Sequence, residues 1–225
     1  AHEGVEVDDT DRGNDVDSLD EYHVKSTRTL FVGNLEKETT TQDLIEKFKP
    51  YGDIIDVDIK RQGASTAFAF VQYADIVSVV SAWRAMDGEH IGINKIKLGF
   101  GKSMPTCCVW TDSLPSDSNN RTLRAAMARY GEVTYCCVDR NRNKGLVYFT
   151  SYEDAQRCVN DIKMRPHFLK KKLQVDFASR ECQTDFLDRM ETTGQLRAHE
   201  RPDESRVHKF RQQRSFDSFP EDGSP

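Results

Sequence analysis

Long apolar runs are missing from this sequence: none reaches the roughly 18 residues a membrane span requires. Cysteine is present but not in useful patterns. The six are Cys107, Cys108, Cys136, Cys137, Cys158 and Cys182, and none forms a C-x-x-C pair. Adjacent cysteines on a strand point to opposite faces, which suits neither a zinc knuckle nor a disulfide framework, so free thiols in a reducing compartment are expected. The six histidines, His2, His23, His90, His167, His199 and His208, fall mostly in tails or loops. No paired carboxylate or nucleophile constellation surrounds them, which argues against an enzyme, and neither a metal site nor a cofactor is expected. No signal peptide is visible, and the sequence reads as an excised piece of a longer chain.

An excess of basic residues is also lacking, since the net charge is −5. Read over the whole chain, that sum argues against a polyanionic partner, but the charge is unevenly placed. Residues 1–27 carry nine acids and two bases, whereas residues 102–178 carry 13 bases and eight acids. Residues 28–101 are close to neutral, with nine bases and ten acids. The acidity belongs largely to the first 27 residues, which are poor in aromatics and read as a disordered tail.

What is present is sharper. Leu30-Phe31-Val32-Gly33-Asn34-Leu35 is followed by Ala67-Phe68-Ala69-Phe70-Val71-Gln72-Tyr73. As strands, Leu30, Val32, Ala69, Val71 and Tyr73 face a core, and Phe31, Phe68 and Phe70 share the opposite face. The inward set is already complete, which disfavours reading the three rings as core residues. Three rings on an open sheet face form the base-stacking platform of an RNA-recognition motif, or RRM. The first segment fits the RNP2 motif throughout. The second fits RNP1 from its third position, with Thr66 and Ala67 standing where Lys/Arg and Gly are usual.

The surrounding pattern predicts β-α-β-β-α-β. The strands are Thr29–Gly33, Ile54–Lys60, Ala67–Tyr73 and Lys95–Phe100. One helix begins near Thr41 and stops at Pro50-Tyr51-Gly52; the other runs from an Asp75 cap to Asp87-Gly88. The pattern repeats, with Trp110 in the place of Phe31, helices over Arg121–Tyr130 and Glu153–Lys163, and strands over Val133–Asp139, Lys144–Phe149 and Lys172–Phe177. The fold class is α+β: two tandem ferredoxin-like RRMs, each a four-stranded antiparallel sheet with two helices, plus a C-terminal helix. The expected divisions are a tail over 1–27, a first RRM over 28–101, a linker over 102–107 and a second RRM over 108–178. A helix over 179–192 and a disordered tail over 193–225 follow. The seven residues from Gly101 to Cys107 span at most ~25 Å, so the domains share one RNA path or pack together.

The two sheet faces differ. In the first, Lys97 should project beside the rings, and Arg28 and Lys102 flank the sheet as phosphate contacts. Asn34 is expected to shape a loop, and Asp56 and Asp58 line an edge strand. In the second, the stacking positions become Lys144 and Leu146, so of the triad only Trp110 survives, with Tyr135 as a substitute and Arg142 at the basic hairpin. The stripe Cys182, Phe186, Leu187, Met190 offers an amphipathic helix that could cover Trp110 and Leu146. The candidate RNA-binding residues are therefore Phe31, Phe68, Phe70, Lys97, Arg28, Lys102, Trp110, Tyr135, Lys144 and Arg142.

Three stretches carry a narrower resemblance: Thr27 to Glu36, Ile96 to Thr106 running into Val109-Trp110, and Val175 to Glu181. Over residues 27–195 they resemble the third and fourth RRMs of the split ends (Spen, SHARP/MINT) family. The resemblance implies a large nuclear transcriptional corepressor that binds structured noncoding RNA through these domains. It also implies that corepressor complexes are recruited through a SPOC domain outside these residues, and that the two RRMs pack as one unit. Phe31, Phe68 and Phe70 would be the main stacking residues. The expected partners are RNA, structured or single-stranded, and corepressor proteins, with no membrane, for a monomer in the nucleus. The rival reading is a protein-interaction scaffold in which the second RRM binds a protein rather than RNA.

Overall fold

The computed structural model describes residues 19–61, 63 and 65–203. The first domain comprises β1 (Thr29–Glu36), α1 (Thr41–Phe48), β2 (Ile54–Arg61), β3 (Thr66–Tyr73) and α2 (Ile76–Met86). A small hairpin of β4 (His90–Ile91) and β5 (Asn94–Lys95) follows, then β6 (Lys97–Phe100). The sheet order is β2-β3-β1-β6, antiparallel throughout. The fourth strand expected over Lys95–Phe100 thus begins at Lys97, because Lys95 is taken by the hairpin and pairs with His90.

Local chemistry sets these boundaries. Thr40 caps α1 in a reciprocal box with Asp43, and α1 turns Leu44 and Phe48 into the core. Asp75 caps α2 by accepting from the Ser78 N–H at 2.8 Å. Leu30, Val32, Ala69, Val71 and Tyr73 are fully buried between sheet and helices.

The second domain repeats the plan with β7 (Cys108–Asp112), α3 (Asn120–Met127), β8 (Val133–Asp139) and β9 (Lys144–Phe149). There follow α4 (Tyr152–Met164), a hairpin of β10 (His167–Phe168) and β11 (Lys171–Lys172), β12 (Gln174–Phe177) and α5 (Arg180–Thr192). The sheet order is β12-β7-β9-β8, the same as in the first domain. Val109, Leu123, Met127, Val147, Cys158 and Ile162 centre its core.

A third apolar cluster lies between the domains. It joins Ile76 and Val80 of α2 to Trp110, Leu146 and Tyr148 of the second sheet and to Phe186, Leu187 and Met190 of α5. The front of the second sheet is therefore covered by α5 and by the back helix of the first domain. Arg189 of α5 also reaches Asp53 of the first domain at 2.9 Å.

Two segments expected to be disordered are ordered where described. Leu19 is buried and its carbonyl accepts from Arg84. Tyr22 meets Ser113 at 3.2 Å and lies under Lys172, and His23 stacks on Phe100. The Ser26 carbonyl accepts from Lys163. Residues 19–27 thus strap both domains: a few well-placed apolar and aromatic groups outweigh an acidic composition. After α5, Leu196 is buried and Gln195 donates to Asp139 at 3.0 Å, so the expected tail at 193 begins as packed chain. The expectations for 1–18 and 204–225 lie outside the described residues.

Candidate nucleic-acid interface

On the first sheet, Phe31 pairs across the strands with Phe70, and Phe68 stands two residues before Phe70 on β3, so the three rings share one face. Ring centroids are 5.8–6.0 Å apart, with Phe68 edge-on to Phe70. All three rings are half-buried, supported by one another and open on the outer side. Two glycines make room for them. A Cβ at Gly33 would lie 3.0 Å from the Phe31 ring, and one at Gly101 would lie 2.7 Å from Thr29 and 3.2 Å from Phe70.

Lys97 is exposed and pairs with Gly33, which puts it on the face that carries Phe31. Lys102 is exposed at the start of the linker. Asn34 has φ 61° and donates to the Lys95 carbonyl at 2.7 Å, the loop-shaping role expected of it. Asp56 and Asp58 are exposed on the edge strand, and Asp58 pairs with Lys60 at 3.0 Å.

The second sheet has the same register and the opposite fate. Trp110 pairs with Leu146, as Phe31 pairs with Phe70. Where Gly99 lies opposite Phe31, Asp176 lies opposite Trp110. Asp176 is buried and binds Arg28, accepting from its backbone N–H at 2.9 Å and lying 3.4 Å from Nε. The Arg28 guanidinium also donates to the Phe177 carbonyl at 2.7 Å and to Cys182, and stacks 4.7 Å from the centre of the Trp110 ring. Burial opposes its charge, yet Cys182 and Asp176 outweigh that, and its pKa is held above the ordinary value.

Four sequence-derived assignments change here. Arg28 is fully buried and cannot meet a phosphate, because it plugs the second sheet. Trp110 is 1% exposed beneath that plug and α5. Lys144 is held between Asp112 at 3.0 Å and Asp75 at 3.5 Å, which joins the two domains. Arg142 pairs with Asp139 at 2.6 Å and lies over the Phe186 ring. Tyr135 stays half-buried on β8, edge-on to Tyr148, away from the Phe triad's sheet.

The carboxylates around this seam are tuned by what they touch. Burial raises Asp112 even against the pull of Lys144. Asp75 and Asp139 are also disfavoured by burial, but hydrogen bonds from Ser78 to the first and from Gln195 and Arg142 to the second hold both below the ordinary value. Burial pushes the Cys136 and Cys137 thiols up to about 12, which keeps them protonated. No disulfide joins any of the six cysteines, and no metal-ligating cluster occurs among the described residues.

Sequence reasoning missed Asp176, the strap residues Tyr22 and His23, and the outer face of α2. A signal for the last was present: Ile76, Val77, Val79, Val80, Ala82 and Trp83 spread around too much of the helix for one buried stripe.

A family model described as RNA recognition motif matches residues 30–97 and 109–166. The chain belongs to the RNA recognition motif family. Within it, the chain is 52% identical over 178 residues to the Drosophila melanogaster "Protein split ends", covering 79% of this chain and 3% of that protein. It is 48% identical over 160 residues to the human "Msx2-interacting protein", covering 71% of this chain and 4% of that protein. These matches place the two RRMs with the split ends group, and the chain spans 3–4% of the length of those relatives. Among solved structures it resembles the first two RRM domains of yeast poly(U) binding protein, at 26% identity and TM-score 0.33, over 68% of this chain and all of that one.

Proposed function

We propose that the first RRM grips single-stranded or looped RNA by stacking bases on Phe31, Phe68 and Phe70, with Lys97 and Lys102 neutralising phosphates. One observation carries this reading: the triad is the open aromatic face, whereas the matching face of the second domain is sealed by the chain itself. Each base–aromatic stack is worth about 1–3 kcal/mol. The second RRM then orients the first and adds basic surface. Its sheet already holds a protein ligand, the chain's own α5 and α2, so an outside protein on that face is the weaker reading.

The likeness to split ends proteins supports a nuclear, monomeric module of a transcriptional corepressor whose other contacts lie outside these residues. No enzymatic step is assigned to it. Phe31→Ala combined with Phe68→Ala should weaken binding at least tenfold in fluorescence polarisation with the fold intact, and added salt should weaken the wild type. Unchanged affinity in the double variant would refute the platform reading.

A further inference from the structure

The second domain carries a cleft that the Phe platform does not use. It has a volume of about 640 Å³, within the range of small-ligand sites, and wraps the outer edge of β8 between the start of α3 and the chain that follows α5. Its buried floor is apolar, formed by Val138, Met190 and Leu196, and Tyr135 supplies a half-buried aromatic wall. Its exposed rim is rich in donors. The guanidinium groups of Arg121 and Arg140 have no hydrogen-bond or ion-pair partner among the described residues. Asn119 and Asn120, both in the lining, use their side-chain oxygens to accept from the Thr122 and Val138 N–H groups, so what their side chains can still offer is the donor NH₂.

An apolar floor, an aromatic wall and a cationic donor rim are the complement of one ligand class. We infer that this cleft binds a nucleoside phosphate, with the base against Tyr135 and the floor and the phosphate held by Arg121 and Arg140. Asn120 sits beside them at the N-terminus of α3, where backbone N–H groups add to the positive potential. A single carboxylate, Glu200, stands in the lining, with one oxygen accepting from the Arg197 N–H at 2.8 Å and the other left to a ligand. It makes inorganic phosphate alone a poor occupant and suits a base that offers an amino group. An extended peptide fits badly. The outward amide of Val138 is already taken by Asn120 at 2.8 Å, and that of Arg140 by Gln195 at 2.8 Å, so a strand cannot add to β8 without breaking both bonds.

The nucleotide can belong to a bound RNA strand or be free, and the strand is the source expected if the platform reading holds, on which this part rests. Both arginines are exposed, so Arg121→Gln with Arg140→Gln should leave the fold unchanged. Four probes separate the outcomes in the full chain: a tetranucleotide that reaches only the Phe triad, a single-stranded RNA of about 20 nucleotides, and adenosine 5′-monophosphate and inorganic phosphate, each followed by amide chemical shifts. The double variant should bind the longer RNA about five- to tenfold more weakly, with a salt dependence lower by one to two phosphate contacts, and the tetranucleotide as before. Adenosine monophosphate should shift the amides of Tyr135, Asn120 and Arg121, and inorganic phosphate should not. Shifts with the mononucleotide and no loss on the longer RNA would make free nucleotide the source. No shifts and no loss would overturn the inference, and so would equal loss on both RNAs. Loss of RNA binding in the Phe31→Ala, Phe68→Ala variant, with the longer RNA bound as before by the arginine variant and no mononucleotide shifts, would leave the platform standing and remove this site.

Discussion

The two sheets of this chain share strand order and register yet face opposite surroundings. On the first, Phe31, Phe70 and Gly99 line up across the strands; on the second, the same places hold Trp110, Leu146 and Asp176. The glycine leaves the first face open. The aspartate gives the second a buried carboxylate that must find a cation, and Arg28 supplies it from the residue just before β1 of the first domain. Once the guanidinium is seated, Trp110 is unavailable to a base, and α5 completes the cover. The RRM backbone is compatible with either fate, and a few front-face side chains decide which occurs.

The largest test of that difference removes the plug. Arg28→Ala leaves Asp176 buried without its partner and should cost about 3–5 kcal/mol in chemical denaturation, with little effect on RNA affinity in the remaining folded protein. Arg28→Lys should lose less, because charge survives while the fork to Phe177 and Cys182 does not. Next, removing residues 180–203 strips the cover from the second sheet. Trp110 emission should shift to the red as its ring meets water, and unchanged emission would show that α5 does not protect it. A third change tries to convert one face into the other. Leu146→Phe rebuilds a ring at the position equivalent to Phe70, but in a filled space. It should cost about 1–3 kcal/mol through overpacking and add no RNA affinity.

The smallest effect concerns the seam. Asp75 has a folded pKa below its ordinary 3.8, so its contribution is present above that value and fades as pH falls through the lowered one. Asp75→Asn should cost about 1 kcal/mol near neutrality and make the stability profile flatter at acid pH. Asp112 runs the other way: its raised pKa means its ionised form is disfavoured by folding, so protonating it offsets part of that acid loss.

Much of the first domain was legible because period-two alternation is local. Leu30 and Val32 against Phe31, and Ala69 and Val71 against Phe70, declare both faces within a few residues. The helix caps at Thr40 and Asp75 were equally local. The apolar stripe of α5 was visible too, since Cys182, Phe186 and Met190 recur at helical spacing. What remained hidden depends on distant partners. Arg28 looks like a phosphate ligand beside an RNP2 motif, and only its contact with Asp176, 148 residues away, shows otherwise. Lys144 and Arg142 looked free for the same reason, since Asp75 and the docked Phe186 come from other elements. Residues 19–27 read as disordered because acids dominate their composition, while the three residues that anchor them, Leu19, Tyr22 and His23, are few and find their partners in distant elements.

The most direct test of one open face against one sealed face is an aromatic and indole chemical-shift titration with single-stranded RNA. Trp83 and Trp110 are the only tryptophans, so Trp83 serves as an internal reference. The ring signals of Phe31, Phe68 and Phe70 should move with added RNA while the Trp110 indole stays fixed. Movement of Trp110 comparable with that of the phenylalanines, or a fixed phenylalanine triad, would contradict it.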